Sequence, residues 1–111
     1  MTLVDTQPRD PSQTVFWHRD LPPLEAEAVG EHTVEATSGR VQGHITHGDE
    51  LWGRCHDELM LHTHARLAQE IARLGGHYAH VLHELIDSHH DDATNEGWLR
   101  GVFDYVLYRK P

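Results

Sequence analysis

The chain lacks the features that mark several large classes of protein. It has 111 residues, a single cysteine, and no uninterrupted apolar run longer than four residues. A helix needs about 20 apolar residues to cross a bilayer, so no such helix is expected. One cysteine cannot form an internal disulfide, which fits a reducing cytoplasm. The first residues also lack the apolar segment of a secretory signal, so we expect a cytoplasmic protein.

Basic residues are scarce as well. Nine Lys and Arg stand against 18 Asp and Glu, which gives a formal net charge of -9 at pH 7. Such a chain repels the phosphates of nucleic acids and the headgroups of anionic membranes. We therefore expect neither nucleic acid nor a membrane as partner. The preference for Arg over Lys, with many Ala, Gly and His residues, is typical of a GC-rich bacterial genome.

Recognisable catalytic motifs are missing too. The sequence has no phosphate-binding loop, no dinucleotide-binding glycine motif, no nucleophile elbow and no HExxH zinc motif. Cys55 has His56 beside it in sequence, but consecutive residues of a helix point about 100° apart. An activated thiol needs a base within hydrogen-bonding distance. These absences make an enzyme the less favoured reading.

Histidine, in contrast, is abundant, with 12 residues in 111. They are spread along the chain, so they do not form a tag-like tract. Imidazole is both a common metal ligand and a group that titrates near physiological pH. Two interpretations stay open: solvated surface histidines that reflect composition, or members of a site.

The length corresponds to one domain. Residues 1–14 are polar and carry Pro8 and Pro11, which predicts a flexible N-terminal tail followed by a single domain over residues 15–111. An apolar cluster at 15–17 and the segment Leu21-Pro22-Pro23-Leu24 favour an extended arm. This arm carries too many large apolar side chains to lie free in water, so we expect it to cross the body of the domain.

The strongest element is a helix from Glu50 to Leu74. Asp49 is a good N-cap, and Gly75-Gly76 provides the left-handed geometry that ends helices. At 100° per residue, one broad face collects most of the apolar side chains. These are Trp52, Leu59, Met60, Leu67, Ile71 and Leu74, together with Thr63.

Three segments have strand character. Residues 31–41 alternate and are rich in Thr and Val; 78–86 and 99–109 alternate as well, with the polar segment 87–97 as the loop of a hairpin. The element order is therefore β-α-β-β, which predicts an α+β domain with one long helix on a small, mostly antiparallel sheet. Both faces of the hairpin are apolar, and one helix covers only one of them. The face turned away from the helix is expected to carry Leu82, Ile86, Trp98, Val102, Val106 and Tyr108.

The segment RLGGHYAHV at residues 73–81, followed by a hairpin that closes the chain, resembles small bacterial α+β domains of the YbjQ type. The resemblance covers residues 50–109 and rests on the arrangement of a helix, a glycine-containing break and strands. It implies the same fold class and, because those domains are catalogued as heavy-metal binding, a metal function. It assigns no particular residue to a site.

Candidate ligands come from several elements. His56, Thr63 and Glu70 are spaced by seven along the helix. A carboxylate on an apolar face needs a partner, either Arg66 or Arg73 or a side chain of the facing strand. The functional alternative makes Glu70 a metal ligand or general base. Alternation places His80 and Glu84 on one side of a strand, about 13 Å apart, too far to bind one ion unaided. A metal site would therefore combine several elements. Its candidate ligands are His56, Glu70, His80, Glu84 and His32. Imidazole and carboxylate ligands fit zinc or nickel.

Two functions follow from these observations. The favoured one is a small non-enzymatic binding or interaction domain that works as a homodimer or higher homo-oligomer through the second face of its sheet. The alternative is a histidine-rich protein that binds a metal or a small ligand.

Overall fold

The computed structural model describes residues 12–111. In this range the chain forms β1 (Val15–Trp17), β2 (Glu27–Thr37), β3 (Val41–Gln42), α1 (Glu50–Arg73), β4 (Tyr78–Asp91) and β5 (Glu96–Arg109). The sheet has the order β1-β4-β5-β2, and β3 also pairs with β5. Among these strands, β1 runs parallel to its neighbour and the other pairs are antiparallel. The predicted α+β class is confirmed; most of the predicted tail, residues 1–11, lies outside the described residues.

Helix α1 begins and ends within one residue of the predicted bounds. The Asp49 carboxylate accepts a hydrogen bond from the backbone N–H of Trp52 at 2.7 Å and so caps the N-terminus. At the other end Gly75 has φ 72°, and the N–H of Gly76 reaches back to the Ile71 carbonyl at 2.9 Å. This pattern ends a helix in the Schellman geometry. In the described part of the chain, no helix is both long enough and apolar enough to cross a membrane.

The core lies between α1 and one face of the sheet. The buried helix residues recur every four positions: Cys55, Leu59, Thr63, Leu67 and Ile71. They pack against a row of buried β5 side chains that includes Phe103 and Leu107. The hydroxyl of Thr63, fully buried, donates to the Leu59 carbonyl at 2.8 Å, so this buried hydroxyl is paired.

The hairpin is longer than predicted. Residues 87–97 were expected to form its loop, but β4 continues to Asp91 and β5 starts at Glu96. The polar segment keeps its strand form because it gains partners across the hairpin. The ring of His89 stacks on Trp98 with centroids 5.8 Å apart, and the guanidinium of Arg40 lies 4.1 Å above the same indole.

A β-bulge between Val81 and His83 changes which side chains share a face. One extra residue reverses the alternation. Leu85 therefore pairs with Val102 on the side away from the helix, whereas Ile86 pairs with Gly101 and packs against the core. The prediction that Ile86 lies on the outer face is wrong for this reason.

The N-terminal arm partly becomes a strand. Residues 15–17 form β1 beside β4, and the Phe16 ring is 1% exposed and packs edge-on against Tyr78. Farther along, Pro22 is buried while Leu24 is 95% exposed. The arm therefore covers only one end of the sheet surface that faces away from α1. We call this surface the open face; its β5 residues are Trp98, Arg100, Val102, Asp104, Val106 and Tyr108.

Candidate functional site

The first predicted ligand, His56, lies on α1 and stacks on the ring of Trp52 with centroids 4.7 Å apart. His47 approaches the same indole edge-on at 4.6 Å. Two imidazoles therefore contact one tryptophan at the start of the helix. Aromatic packing of this kind accounts for His56 without a metal.

His80 and Glu84 are held by the N-terminal arm instead of by each other. Nε2 of His80, a buried side chain, donates to the carbonyl oxygen of His18 at 2.6 Å. The Glu84 carboxylate accepts from Nε2 of His18 at 2.7 Å. Because of the β-bulge, His80 pairs with Val106 on the open face and Glu84 faces the opposite side of the strand. The prediction that both point to one side is therefore wrong, and their observed role is to fix the arm against β4.

Glu70 has the partner that a half-buried carboxylate needs. Arg73 donates two hydrogen bonds to it, Nε to Oε2 at 2.9 Å and Nη2 to Oε1 at 2.8 Å. This bidentate contact holds the pKa of Glu70 below its ordinary value, against the opposing effect of desolvation. Of the two arginines predicted as partners, Arg73 is the one that forms the ion pair.

His32 and Tyr105 lie near the Glu70–Arg73 pair. The His32 ring tilts against Tyr105 with centroids 5.7 Å apart, and its charge acts on Glu70. Among the described residues, the buried hydroxyl of Tyr105 has no hydrogen-bond partner. Burial, and then the nearby Glu70 carboxylate, raise the pKa of Tyr105. Of the five predicted ligands, the structure thus brings Glu70 and His32 into one neighbourhood and leaves the other three elsewhere.

These placements do not create a metal-binding geometry. Within residues 12–111, no group of three or more His, Cys, Asp and Glu side chains is arranged to hold a metal ion. The histidines have other partners in several cases: a backbone carbonyl for His62 at 2.7 Å, and Asp92 and Asn95 for His90 at 2.9 Å each.

The open face is the other candidate site, and it combines apolar and charged side chains. Trp98, Val102, Val106 and Tyr108 lie along the central strand β5 and are each half-buried. On β4, Leu82 is 41% exposed and Leu85 is 62% exposed. Five of the six predicted interface residues therefore remain accessible to a partner, and Leu85 takes the position predicted for Ile86.

A depression of about 220 Å³ lies at the middle of this face. Its lining includes His83, Leu82, Asp104 and Glu31. The Asp104 carboxylate accepts a hydrogen bond from the Thr33 hydroxyl at 2.8 Å. This contact uses one carboxylate oxygen and leaves an exposed negative charge between Val102 and Val106.

Arg100, four residues before Asp104 and on the same face of β5, carries the opposite charge. It pairs with Glu35 of the neighbouring strand β2, and both side chains are partly exposed. Sequence reasoning did not include Asp104, Arg100 or His83 among the site residues. For Asp104 and Arg100 the signal that could have found them is the alternation of β5, where a charged residue in register with valines must share their face. His83 follows the bulge of β4, so alternation alone could not have placed it.

Comparison with known proteins gives no match for this chain among family models, curated proteins or solved structures. The resemblance to YbjQ-type domains therefore rests on the arrangement of residues 50–109 alone.

Proposed function

We propose that this chain is a small non-enzymatic interaction domain that works as a homo-oligomer through the open face of its sheet. One observation supports the proposal: the face opposite α1 presents accessible apolar side chains on two adjacent strands, interleaved with charged ones. Surfaces of this kind mark protein interfaces more often than they occur on isolated domains. The N-terminal arm does not cover the part of the open face that extends from Leu82 on β4 to Trp98 on β5, so the apolar side chains there stay accessible.

The size of the face supports an assembly interface. Strands β4 and β5 have 14 residues each, and 14 residues at about 3.3 Å extend roughly 46 Å. Three strands spaced by about 4.8 Å span a further 15 Å. The resulting surface is of the order of the 800 Å² that each partner buries in a standard interface.

The free energy gained by burying the apolar side chains of the face is similar in size to the free-energy cost of association. Burying a Leu or Val side chain completely contributes about 1.5–3 kcal/mol. Partial burial of the six accessible residues gives a gross gain on the order of 10 kcal/mol, against an association cost of about 4–15 kcal/mol. The two terms are of similar size, which is compatible with a dimer of moderate affinity that the charged residues of the face would orient.

A matched pair of substitutions tests the proposal. Leu85→Glu places a charge on the open face, and Leu61→Glu makes the same change at a leucine of α1 that is 70% exposed. Sedimentation equilibrium at tens of micromolar should show an oligomer for the wild type and for Leu61→Glu. We expect Leu85→Glu to be monomeric with an unchanged circular dichroism spectrum.

Val102→Glu at the centre of the face should also give a monomer or an aggregating protein. A wild type that is monomeric throughout this concentration range would refute the proposal. Elemental analysis of protein purified without a tag checks the alternative: stoichiometric zinc or nickel would favour the metal-binding function instead.

A further inference from the structure

We propose that the partner on the open face is a second copy of the chain, related by a two-fold axis that crosses the strands at the row formed by Leu85, Val102 and Glu35. The proposal rests on the homo-oligomer proposed above and specifies its geometry. In this arrangement the two sheets face each other, and Asp104 of each copy lies opposite Arg100 of the other.

The order of side chains along β5 carries the argument. The register places Leu85 and Glu35 beside Val102, so these three residues form one row across the open face. Arg100 and Asp104 lie one row to either side, at equal distances from Val102. A two-fold rotation about that row exchanges them. An isologous interface requires this kind of self-complementarity, in which residue i meets j and j meets i.

Strand β4 has a similar arrangement, with polar side chains of different character at equal distances on either side of Leu85. His83 pairs with Asp104 in the register and Asp87 pairs with Arg100. The same rotation therefore places His83 opposite the Asp87 of the second copy. Leu85, 62% exposed, meets its own copy at the axis. The β-bulge makes this possible, because without its extra residue His83, Leu85 and Asp87 would all point to the side of the sheet that faces α1.

The outer rows are compatible with the axis. Two rows from the centre, Val106 of one copy faces Trp98 of the other, where the Arg40 guanidinium lies over the indole. Glu35 lies near its own copy at the β2 side, and in each subunit Arg100 balances its charge. The guanidinium has five N–H donors, which is enough to contact Glu35 and a second carboxylate.

Two other orientations are less favourable. An axis parallel to the strands and directly above β5 would keep each β5 residue opposite itself, so that Asp104 met Asp104 and Arg100 met Arg100. Centring a transverse axis on Asp104 would also bring two carboxylates together. Like charges at an interface disfavour an arrangement, and charge complementarity fixes orientation more than it adds affinity. A parallel axis midway between β4 and β5 would instead pair Asp104 with His83 and Arg100 with Asp87. In that arrangement positions 100 and 104 do not meet, so recovery on mixing charge-reversed variants distinguishes it from the transverse axis at Val102.

Charge reversal tests this axis. Asp104→Arg would place Arg opposite Arg in a homodimer, and Arg100→Asp would place Asp opposite Asp. We expect each variant alone to dimerise more weakly by about tenfold or more. An equimolar mixture of the two should form a heterodimer with both pairs complementary again, and the double variant should form a homodimer of near wild-type affinity. Sedimentation velocity with one partner fluorescently labelled measures all four cases.

The outcomes separate the two proposals. A wild-type dimer whose charge-reversed variants show no recovery on mixing would overturn the axis but leave the homo-oligomer standing. A monomeric wild type would overturn both. Thermal melts followed by circular dichroism establish that each variant is folded.

A second variant does not depend on those charges. Leu85→Cys lies at the axis and should be cross-linked to its own copy by a short bis-maleimide, which spans the roughly 10 Å between packed sheets, whereas Leu61→Cys on α1 should not. The native Cys55 is buried, at 3% exposure, and does not compete. Absence of cross-linking by Leu85→Cys in a protein that still dimerises would also overturn the proposed axis.

Discussion

Gly101 lies in the middle of β5 on the side that faces α1, and its missing side chain is required by the core. A Cβ at this position would lie 2.5 Å from Cε2 and 2.7 Å from Cζ of the Phe103 ring, and 3.3 Å from Cδ2 of Leu59. Phe103 and Leu59 are both fully buried, so neither has free space to move into. Overpacking of such a site costs about 1–3 kcal/mol.

The substitution Gly101→Ala should therefore destabilise the protein. Loss of backbone freedom in the unfolded chain offsets part of the cost, by about 0.4–1 kcal/mol. We expect the free energy of unfolding to fall by about 1–2 kcal/mol and Tm to fall by about 5–15 °C. Urea denaturation and thermal melts, both followed by circular dichroism at one fixed protein concentration, measure these changes.

Gly53→Ala is the matched control for Gly101→Ala. Gly53 lies in α1, and a Cβ there would have no atom within 4 Å other than those of its chain neighbours and its own helix backbone. Alanine is preferred to glycine in a helix, so Gly53→Ala should raise the free energy of unfolding by about 0.5–1 kcal/mol. The packing argument is refuted if Gly101→Ala and Gly53→Ala change stability in the same direction.

Three further predictions concern single side chains. Tyr105→Phe removes a buried hydroxyl that lacks a partner among the described residues, so stability at pH 7 should be unchanged or rise by up to about 1 kcal/mol. Because the folded pKa of Tyr105 is raised, wild-type stability should also fall as the pH rises above about 10, and Tyr105→Phe should lose less in urea titrations at pH 9 and 11. Asp49→Ala removes the helix N-cap and should cost about 1 kcal/mol in urea denaturation; Asp49→Asn, which keeps the cap, should cost much less. The folded pKa of Glu70 is lowered, so its ion pair with Arg73 contributes stability above about pH 4.3 that is lost as the pH falls through the folded pKa. Glu70→Gln should therefore make denaturation midpoints between pH 5 and 3 less dependent on pH, and an unchanged pH dependence would contradict this role of the pair.

Some parts of this protein are readable from local sequence. The helix was predicted to within one residue because its signals are all local: an N-cap aspartate, apolar spacing of three and four, and a glycine pair at the end. The strand over 99–109 and the two sides of its alternating pattern were predicted for the same reason. The charge partner of Glu70 was also accessible, because a residue three positions away in a helix lies on the same face.

The positions of the candidate metal ligands could not be predicted from local sequence. Alternation placed His80 and Glu84 on the same side of their strand, and a single β-bulge between Val81 and His83 separates them. Bulges have no reliable local signature, since the extra residue is tolerated through pairing with the neighbouring strand. The bulge also moved Ile86 into the core and Leu85 to the open face.

The sequence by itself determined the elements: one capped amphipathic helix, the alternating strands, and a second apolar sheet face that the helix cannot cover. Only the tertiary structure decided which side chains share that face. It extended the hairpin through the polar residues 87–91, because His89 and Arg40 gain contacts with Trp98 there. It also turned His83, Leu85 and Asp87 to that face through the β-bulge. The physical reason is that strand register is a long-range property: it is set by pairing between segments distant along the chain, and a shift of one residue turns every following side chain to the other face.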